Sequence, residues 1–254
     1  MKNEDLTTTY DEVYKEGSNN FFSQSDGEEL KTIISMCDDW EGEKVLEIGC
    51  GEGDLALELS DLGVSQIVAI DYSRPAIDIA LKKVKGRKNI IFSAENYKNI
   101  KGKFDYVVMA GVLEHFDNPF IELNYIMNEY INEGGSLITS SPSFLNPRGY
   151  VWMTLALLLN VPMSLTDLHF LAPWQFEEFC KNNEYKLEMK SCDFSWGCGK
   201  LMIKDYKKRL HNALRDANLD NSNVPELLNW MEKAGRYYNI GEYSGATMAY
   251  KITK

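Results

Sequence analysis

Cysteine is scarce in this sequence, and positive charge is outnumbered by negative charge. The cysteines are Cys37, Cys50, Cys180, Cys192 and Cys198. They form no C-x-x-C pair, which argues against a zinc ribbon or a disulfide framework and predicts reduced thiols in a cytoplasmic protein. The formal net charge is −11, from 27 Lys and Arg against 38 Asp and Glu. Because binding to a phosphate backbone depends on clustered cations, no nucleic-acid partner is expected.

Long apolar runs are also missing. The strongly apolar stretch at 150–161 is shorter than the roughly 20 residues that span a bilayer, so no transmembrane segment is predicted. The stretch could cover an apolar substrate, form a homodimer surface, make a peripheral contact with a membrane, or be buried. The first fourteen residues are polar and of mixed charge, which predicts no secretory signal.

The most informative stretch is 44–54, which reads KVLEIGCGEGD. An apolar run gives way to Gly49, Gly51 and Gly53, and an amphipathic segment follows at once. This pattern predicts a buried strand, a tight turn and the start of a helix. Glycine permits a positive φ and a close ligand, and a helix N-terminus offers unpaired N–H groups. The turn is therefore expected to hold a ligand, although such turns also occur without one.

The spacing of the glycines distinguishes between ligands. A dinucleotide fingerprint has a third glycine at the sixth position, where this sequence has Asp54. The match to NAD is therefore poor. The pattern E-x-G-x-G-x-G, which begins at Glu47, resembles the first motif of the class I S-adenosylmethionine-dependent methyltransferases. The resemblance implies that the glycine turn lies beneath the methionine part of the cofactor and that Glu47 faces its amino end.

Alternating strand and helix patterns follow the turn. The segments 66–71, 89–94, 104–112 and 136–140 read as further strands, and 185–194 and 246–253 as the last two. They predict an α/β fold with a doubly wound, Rossmann-like sheet of seven strands, mostly parallel, with right-handed crossovers. In the resembling family the last strand is antiparallel and lies beside strand five. The ligand crevice is expected at the carboxyl ends of the strands, between strands one and four.

Residues at the ends of strands two and three complete the expected cofactor site. Asp71 ends strand two, where nucleoside-binding proteins accept hydrogen bonds from ribose hydroxyls, and Tyr72 follows it. Asp71 could instead be a loop or capping residue. In similar methyltransferases the residues after strand three lie along the adenine, which assigns Ala94 and Glu95 to it by resemblance.

The flanking segments are interpreted as a lid and a cap. Residues 1–254 form one domain, with N-terminal lid helices in 1–40 and a cap made of an apolar insertion at 144–172 and a helical insertion at 199–240. Thr9 is expected to cap a short helix. In relatives of this type the leading helix folds over the cofactor, so Tyr10 and Tyr14 are candidate lid residues, with ordinary packing as the alternative.

The chain has three histidines, and two of them are candidates for proton transfer. The string VLEHFDNP resembles the motif after strand four of small-molecule methyltransferases (the UbiG-like branch, methyltransferase types 11, 12 and 23), which would place His115 beside the transferred methyl group. His169 lies in a stretch that lines the substrate pocket in similar proteins. No metal ion is expected.

The resulting hypothesis is an enzyme that transfers a methyl group from S-adenosyl-L-methionine to an oxygen or nitrogen atom of a small molecule and leaves S-adenosyl-L-homocysteine. The candidate acceptors are a sugar, a quinone or a lipid-like metabolite. Two alternatives from other classes remain open. The chain could bind the cofactor without turnover, as a regulatory subunit. It could also be an oxidoreductase that binds NAD or a nucleotide sugar.

Overall fold

The computed structural model describes residues 3–16, 27–161 and 167–254. The parts of the predicted lid and apolar insertion at 1–2, 17–26 and 162–166 lie outside the described residues. The strands are β1 (Lys44–Ile48), β2 (Gln66–Asp71), β3 (Ile90–Ala94), β4 (Phe104–Ala110), β5 (Ile131–Pro142), β6 (Lys186–Cys192) and β7 (Thr247–Thr253). The α-helices are α1 (Asn3–Glu16), α2 (Glu28–Ile34), α3 (Asp54–Asp61), α4 (Arg74–Lys83), α5 (Pro119–Tyr130), α6 (Pro147–Leu159), α7 (Pro173–Asn183), α8 (Phe194–Cys198), α9 (Lys200–Asp216) and α10 (Val224–Ala234).

The strands form one seven-stranded sheet in the order β3-β2-β1-β4-β5-β7-β6. The first five strands pair in parallel, whereas β7 is antiparallel to both β5 and β6. In the centre, Val45 of β1 aligns with Ile67 on one side and with Tyr106 on the other. The predicted fold class is therefore confirmed, including the antiparallel last strand beside β5.

Helices cover both faces of the sheet because its central strands are apolar on both faces. Val107 and Val108 are adjacent in β4 and both are fully buried, one in each of two core clusters. Leu123 of α5 packs in the cluster that contains Val107, and Leu55 of α3 packs in the cluster that contains Val108. Because helices cover both faces of the sheet, a ligand can approach it at the ends of the strands.

The helices of the two predicted insertions share a third apolar cluster. Trp152 of α6, Tyr206 of α9 and Leu228 of α10 are buried in it. The other end of α6 is different, since Leu157 and Leu158 are 71% and 74% exposed. Among the residues that the structure describes, none of the helices combines the length and the apolar character needed to cross a membrane.

Two local features can be compared directly with expectation. All five cysteines are free, which agrees with their spacing, and all five are buried. The prediction that Thr9 caps a short helix is wrong, because α1 already begins at Asn3 and Thr9 lies in its interior. A threonine favours a helix start only where the preceding residues do not extend the helix.

Candidate functional site

A cavity of about 210 Å³ opens at the carboxyl ends of β1, β2 and β4. Its wall includes Gly49 after β1, Asp71 at the end of β2 and Gly111 after β4. This is the place where the strand order reverses direction and where open α/β sheets bind ligands. The expected crevice is therefore present at the junction of strands one and four.

The glycine turn on this wall requires glycine for two reasons. Gly49 and Gly51 have φ angles of 75° and 50°, which side chains disfavour. A Cβ at Gly49 would also overlap Val112, and one at Gly51 would lie 2.8 Å from the hydroxyl of Tyr14. Gly53 has a φ of 81° and precedes the first turn of α3. Of the three, Gly49 lines the cavity, while Gly51 and Gly53 shape the turn behind it.

Asp71 connects the turn to the cavity. Its Oδ2 accepts a hydrogen bond from the N–H of Gly51 at 2.9 Å, and its Oδ1 accepts one from the N–H of Ser73 at 2.8 Å. Burial raises the pKa of this carboxyl, and the backbone donors act to lower it. A carboxylate oxygen has room for a second donor. Asp71 therefore has a structural part in the turn and also presents acceptor oxygens to the cavity.

Three further residues of the expected cofactor site, Tyr72, Ala94 and Glu95, divide into two groups. Tyr72 and Glu95 line the cavity, and Tyr72 is 46% exposed. Ala94 ends β3 opposite Asp71 in the sheet register. Within the described chain it is not one of the wall residues of the cavity, although its neighbour Glu95 is.

Glu47 lies beneath the turn and not on the wall of the cavity. Its side chain is buried with 3% of the residue exposed, and its Oε2 has no hydrogen-bond partner among the described residues. Burial, with the Asp71 and Asp54 carboxylates nearby, raises its pKa to about 8, whereas the N–H of Ala56 acts to lower it. Buried polar atoms without partners are rare. Oε2 of Glu47 is therefore an unsatisfied acceptor close to the glycine turn.

His115 brings the lid helix and the loop after β4 together. Its Nε2 lies 3.0 Å from the hydroxyl of Tyr10, and its Nδ1 lies 3.7 Å from Oδ1 of Asp167. Tyr10 and Tyr14 both line the cavity, as does His115. The three aromatic rings therefore form one side of the cavity.

His169 is placed differently. Its Nε2 lies 3.1 Å from the backbone oxygen of Asp117 in an exposed position. Within the described chain it does not belong to the wall of the cavity. The structure thus brings one of the two candidate histidines to the cavity and leaves the other outside it.

Two acidic residues beside His115 were missed by the sequence analysis. Glu114 is 3% exposed, its Oε2 has no hydrogen-bond partner among the described residues, and burial raises its pKa well above the usual range. Ligand atoms of Glu114, His115 and Asp167 lie within 4.8 Å of one another, so this set could hold a cation although none was expected. The only signal in the sequence is that Glu114 adjoins His115, because Asp167 is distant along the chain.

Comparison with known proteins gives two kinds of match in sequence. The family described as "Methyltransferase domain" matches residues 24–194. The mitochondrial ubiquinone biosynthesis O-methyltransferase of Schizosaccharomyces pombe is 34% identical over 182 residues, which are 68% of this chain and 60% of that protein. The chain thus spans less than two thirds of the length of this curated relative.

Solved structures of low sequence identity share the fold. A chain from the complex between the Haloferax volcanii Trm112 methyltransferase activator and its partner has a TM-score of 0.64 and 13% identity, covering 96% of each chain. Phosphoethanolamine N-methyltransferase 2 of Haemonchus contortus, in complex with S-adenosyl-L-methionine, has a TM-score of 0.55 and 16% identity, covering 89% of this chain and 52% of that one. At these identities the similarity establishes the fold alone.

Proposed function

Because the chain belongs to the methyltransferase domain family, we propose that it transfers a methyl group from S-adenosyl-L-methionine to an oxygen or nitrogen atom of a small molecule. The family assignment agrees with the resemblance to class I small-molecule methyltransferases that the sequence predicts. The observation that carries the proposal is the orphaned Oε2 of Glu47 beneath a turn that only glycine can form.

The residues that line the cavity, together with Glu47 beneath the glycine turn, fit the proposed cofactor. Glu47 supplies an unpaired carboxyl oxygen for an ammonium group, Gly49 allows a close approach, and Asp71 supplies acceptors for ribose hydroxyls. Tyr72 and Glu95 are assigned to the adenine, with Ala94 behind them. When bound, the cofactor provides an activated methyl group on a sulfonium centre.

His115 is proposed to accept the proton that the acceptor loses. Its Nε2 is within hydrogen-bond reach of a hydroxyl, since that of Tyr10 lies 3.0 Å away. Oδ1 of Asp167 lies 3.7 Å from the other ring nitrogen, Nδ1. Tyr10 and Tyr14 shield this side of the cavity from water. Because His169 lies outside the cavity, we assign it no part in proton transfer.

Titration with two ligands tests the cofactor assignment. Isothermal titration calorimetry with S-adenosyl-L-homocysteine should give saturable binding at one site, and NAD under the same conditions should give none. Tighter binding of NAD would replace the proposal with the oxidoreductase alternative. Cofactor binding by a protein that methylates no acceptor in a broad panel would instead favour the regulatory subunit.

The exposed end of α6 supports the predicted contact of 150–161 with an apolar partner. Leu157 and Leu158 are largely exposed on a helix that has no charged residue beyond its first turn. Sedimentation with anionic phospholipid vesicles tests the peripheral membrane contact, and the concentration dependence of the molecular mass tests the homodimer. The cytoplasmic location stays a prediction.

A further inference from the structure

Another cavity, of about 230 Å³, lies beside the carboxyl end of β5. Its walls come from α2, the end of β5, α6, the turn after β6, α8, α9 and the start of β7. It is strongly charged, and its ionisable wall residues are Glu29, Arg148, Asp193, Asp205 and Arg209. The proposed methyl transfer makes no use of these residues.

Two arginines on this wall share one carboxylate. Nε of Arg148 donates to Oδ2 of Asp205 at 2.9 Å, and Nη1 of Arg209 donates to Oδ1 of the same residue at 3.4 Å. Asp205 is 5% exposed, so this carboxylate is shielded from water. Two guanidinium groups therefore meet at one buried carboxylate on this wall.

Arg148 keeps hydrogen-bonding capacity for a ligand. Among the described residues, its only side-chain hydrogen bond uses Nε, which leaves both terminal nitrogens without an acceptor. Its backbone is fixed in the first turn of α6, where the hydroxyl of Tyr206 donates to its carbonyl oxygen at 2.6 Å. A planar guanidinium held in this way matches the geometry of a carboxylate or phosphate group.

Two acidic side chains restrict which anions fit. Oε1 of Glu29 accepts from the hydroxyl of Ser140 at 2.6 Å, and Oδ2 of Asp193 accepts from the hydroxyl of Thr247 at 2.8 Å. These carboxyl groups repel a simple anion, but they can accept further hydrogen bonds from a hydroxyl or an amine. A ligand that combines an oxyanion with such a donor satisfies both parts of the wall.

Ser140 stands between this cavity and the one that holds Gly49 and His115. The N–H of Gly111, a wall residue of the first cavity, donates to Oγ of Ser140 at 3.1 Å. The same hydroxyl donates to Glu29, a wall residue of the second cavity. Two consecutive hydrogen bonds therefore connect the walls, and the cavities are adjacent.

We propose that the second cavity binds the acidic end of the methyl acceptor, so that the acceptor is a small metabolite carrying a carboxylate or phosphate group together with a hydroxyl or amine. The terminal nitrogens of Arg148 hold the oxyanion, and Glu29 accepts the hydrogen bond of the donor group. No bond forms or breaks in this cavity. The inference rests on the proposed methyltransferase function and specifies its substrate class.

Calorimetric titrations of inorganic phosphate and of benzoate test the inference, each with and without S-adenosyl-L-homocysteine. At least one of the two anions should bind the wild-type protein, and Arg148→Gln should weaken that binding about tenfold or more, because a charge-assisted hydrogen bond is lost. Selective binding of phosphate or of benzoate identifies the oxyanion. Binding of neither, or equal binding by wild type and variant, overturns the inference.

Three controls separate the possible causes of a loss. Arg215→Gln removes one exposed charge from α9 without touching the cavity, so it should leave anion binding unchanged. Arg148→Lys keeps a cation beside Asp205 but loses the planar guanidinium, so it should bind the anion several-fold more weakly than the wild type. This variant keeps the test valid if Arg148→Gln does not fold. Benzamide, the neutral counterpart of benzoate, should not bind to the wild type, and equal binding of both would contradict the inference.

The cofactor titration keeps this inference distinct from the proposed function. If S-adenosyl-L-homocysteine does not bind, the proposed function fails whatever the anions do. If it binds and the anions do not, only the assignment of the second cavity fails.

Discussion

The N–H of Gly51 donates a hydrogen bond to Oδ2 of Asp71 at 2.9 Å. This bond ties the glycine turn after β1 to the last residue of β2, so two neighbouring strands define one wall of the cavity. The same carboxyl group accepts from Ser73 through Oδ1. A change at Asp71 should therefore alter both the shape of the turn and the affinity for a ribose.

Asp71→Asn should lower the affinity for S-adenosyl-L-homocysteine at least about tenfold. It should also lower the free energy of unfolding by about 1–3 kcal/mol, because one backbone N–H would then face an amide NH₂ group instead of an acceptor. Calorimetry and urea unfolding measure the two effects. Asp78→Asn is the matched control, because Asp78 is exposed and pairs with Arg74 on α4. Unchanged affinity in Asp71→Asn would remove Asp71 from the site.

Gly49→Ala should destabilise the protein more than Gly86→Ala does. Both glycines have positive φ, at 75° and 81°, so both variants have a backbone cost of about 1–2 kcal/mol. Only the Cβ at position 49 overlaps a neighbour, Val112, whereas nothing lies within 4 Å at position 86. The double variant Gly49→Ala/Val112→Ala should recover part of the difference in urea unfolding. Equal losses for the two single variants would contradict the overlap.

Glu47 should make the stability of the ligand-free protein depend on pH. Its pKa is raised from 4.5 to about 8 in the folded protein. The folded state therefore favours the protonated carboxyl. The contribution of this carboxyl to the free energy of unfolding is fully present below pH 4.5 and is lost as pH rises through about 8. The loss is on the order of a few kcal/mol. In Glu47→Gln, the free energy of unfolding measured with urea should depend less on pH between pH 5 and 8. The same pH dependence in the variant and the wild type would contradict the raised pKa of Glu47.

The parts of the site that the sequence predicts are those set by local pattern. The glycine turn and the strand ends at Asp71 and Glu95 follow from apolar runs that stop at turn residues, and parallel strands bring these ends to one edge. The second cavity depends on pairs far apart in the chain. Ser140 and Glu29 are separated by 111 positions, and Arg148 and Asp205 by 57. No periodicity signals such contacts, because they arise only when α2 packs on the sheet and the cap helices pack on each other.

The two candidate histidines should differ sharply in their effect on turnover. His115 lines the cavity and lies beside Asp167, whereas His169 contacts a backbone oxygen outside the cavity. With any acceptor that the wild type methylates, His115→Gln should lower kcat by about 10²–10⁴-fold, the usual contribution of a positioned general base. The affinity for S-adenosyl-L-homocysteine should stay within about threefold, because the imidazole acts on the acceptor.

His169→Gln is the matched control for this prediction, and it should leave kcat within about threefold of the wild type. A general base also imposes a pH dependence on kcat, which falls at low pH as the imidazole becomes protonated. That low-pH fall should disappear in His115→Gln and persist in His169→Gln. A large loss of kcat in His169→Gln with little loss in His115→Gln would reverse the assignment, and comparable small losses in both would mean that positioning alone supports the transfer.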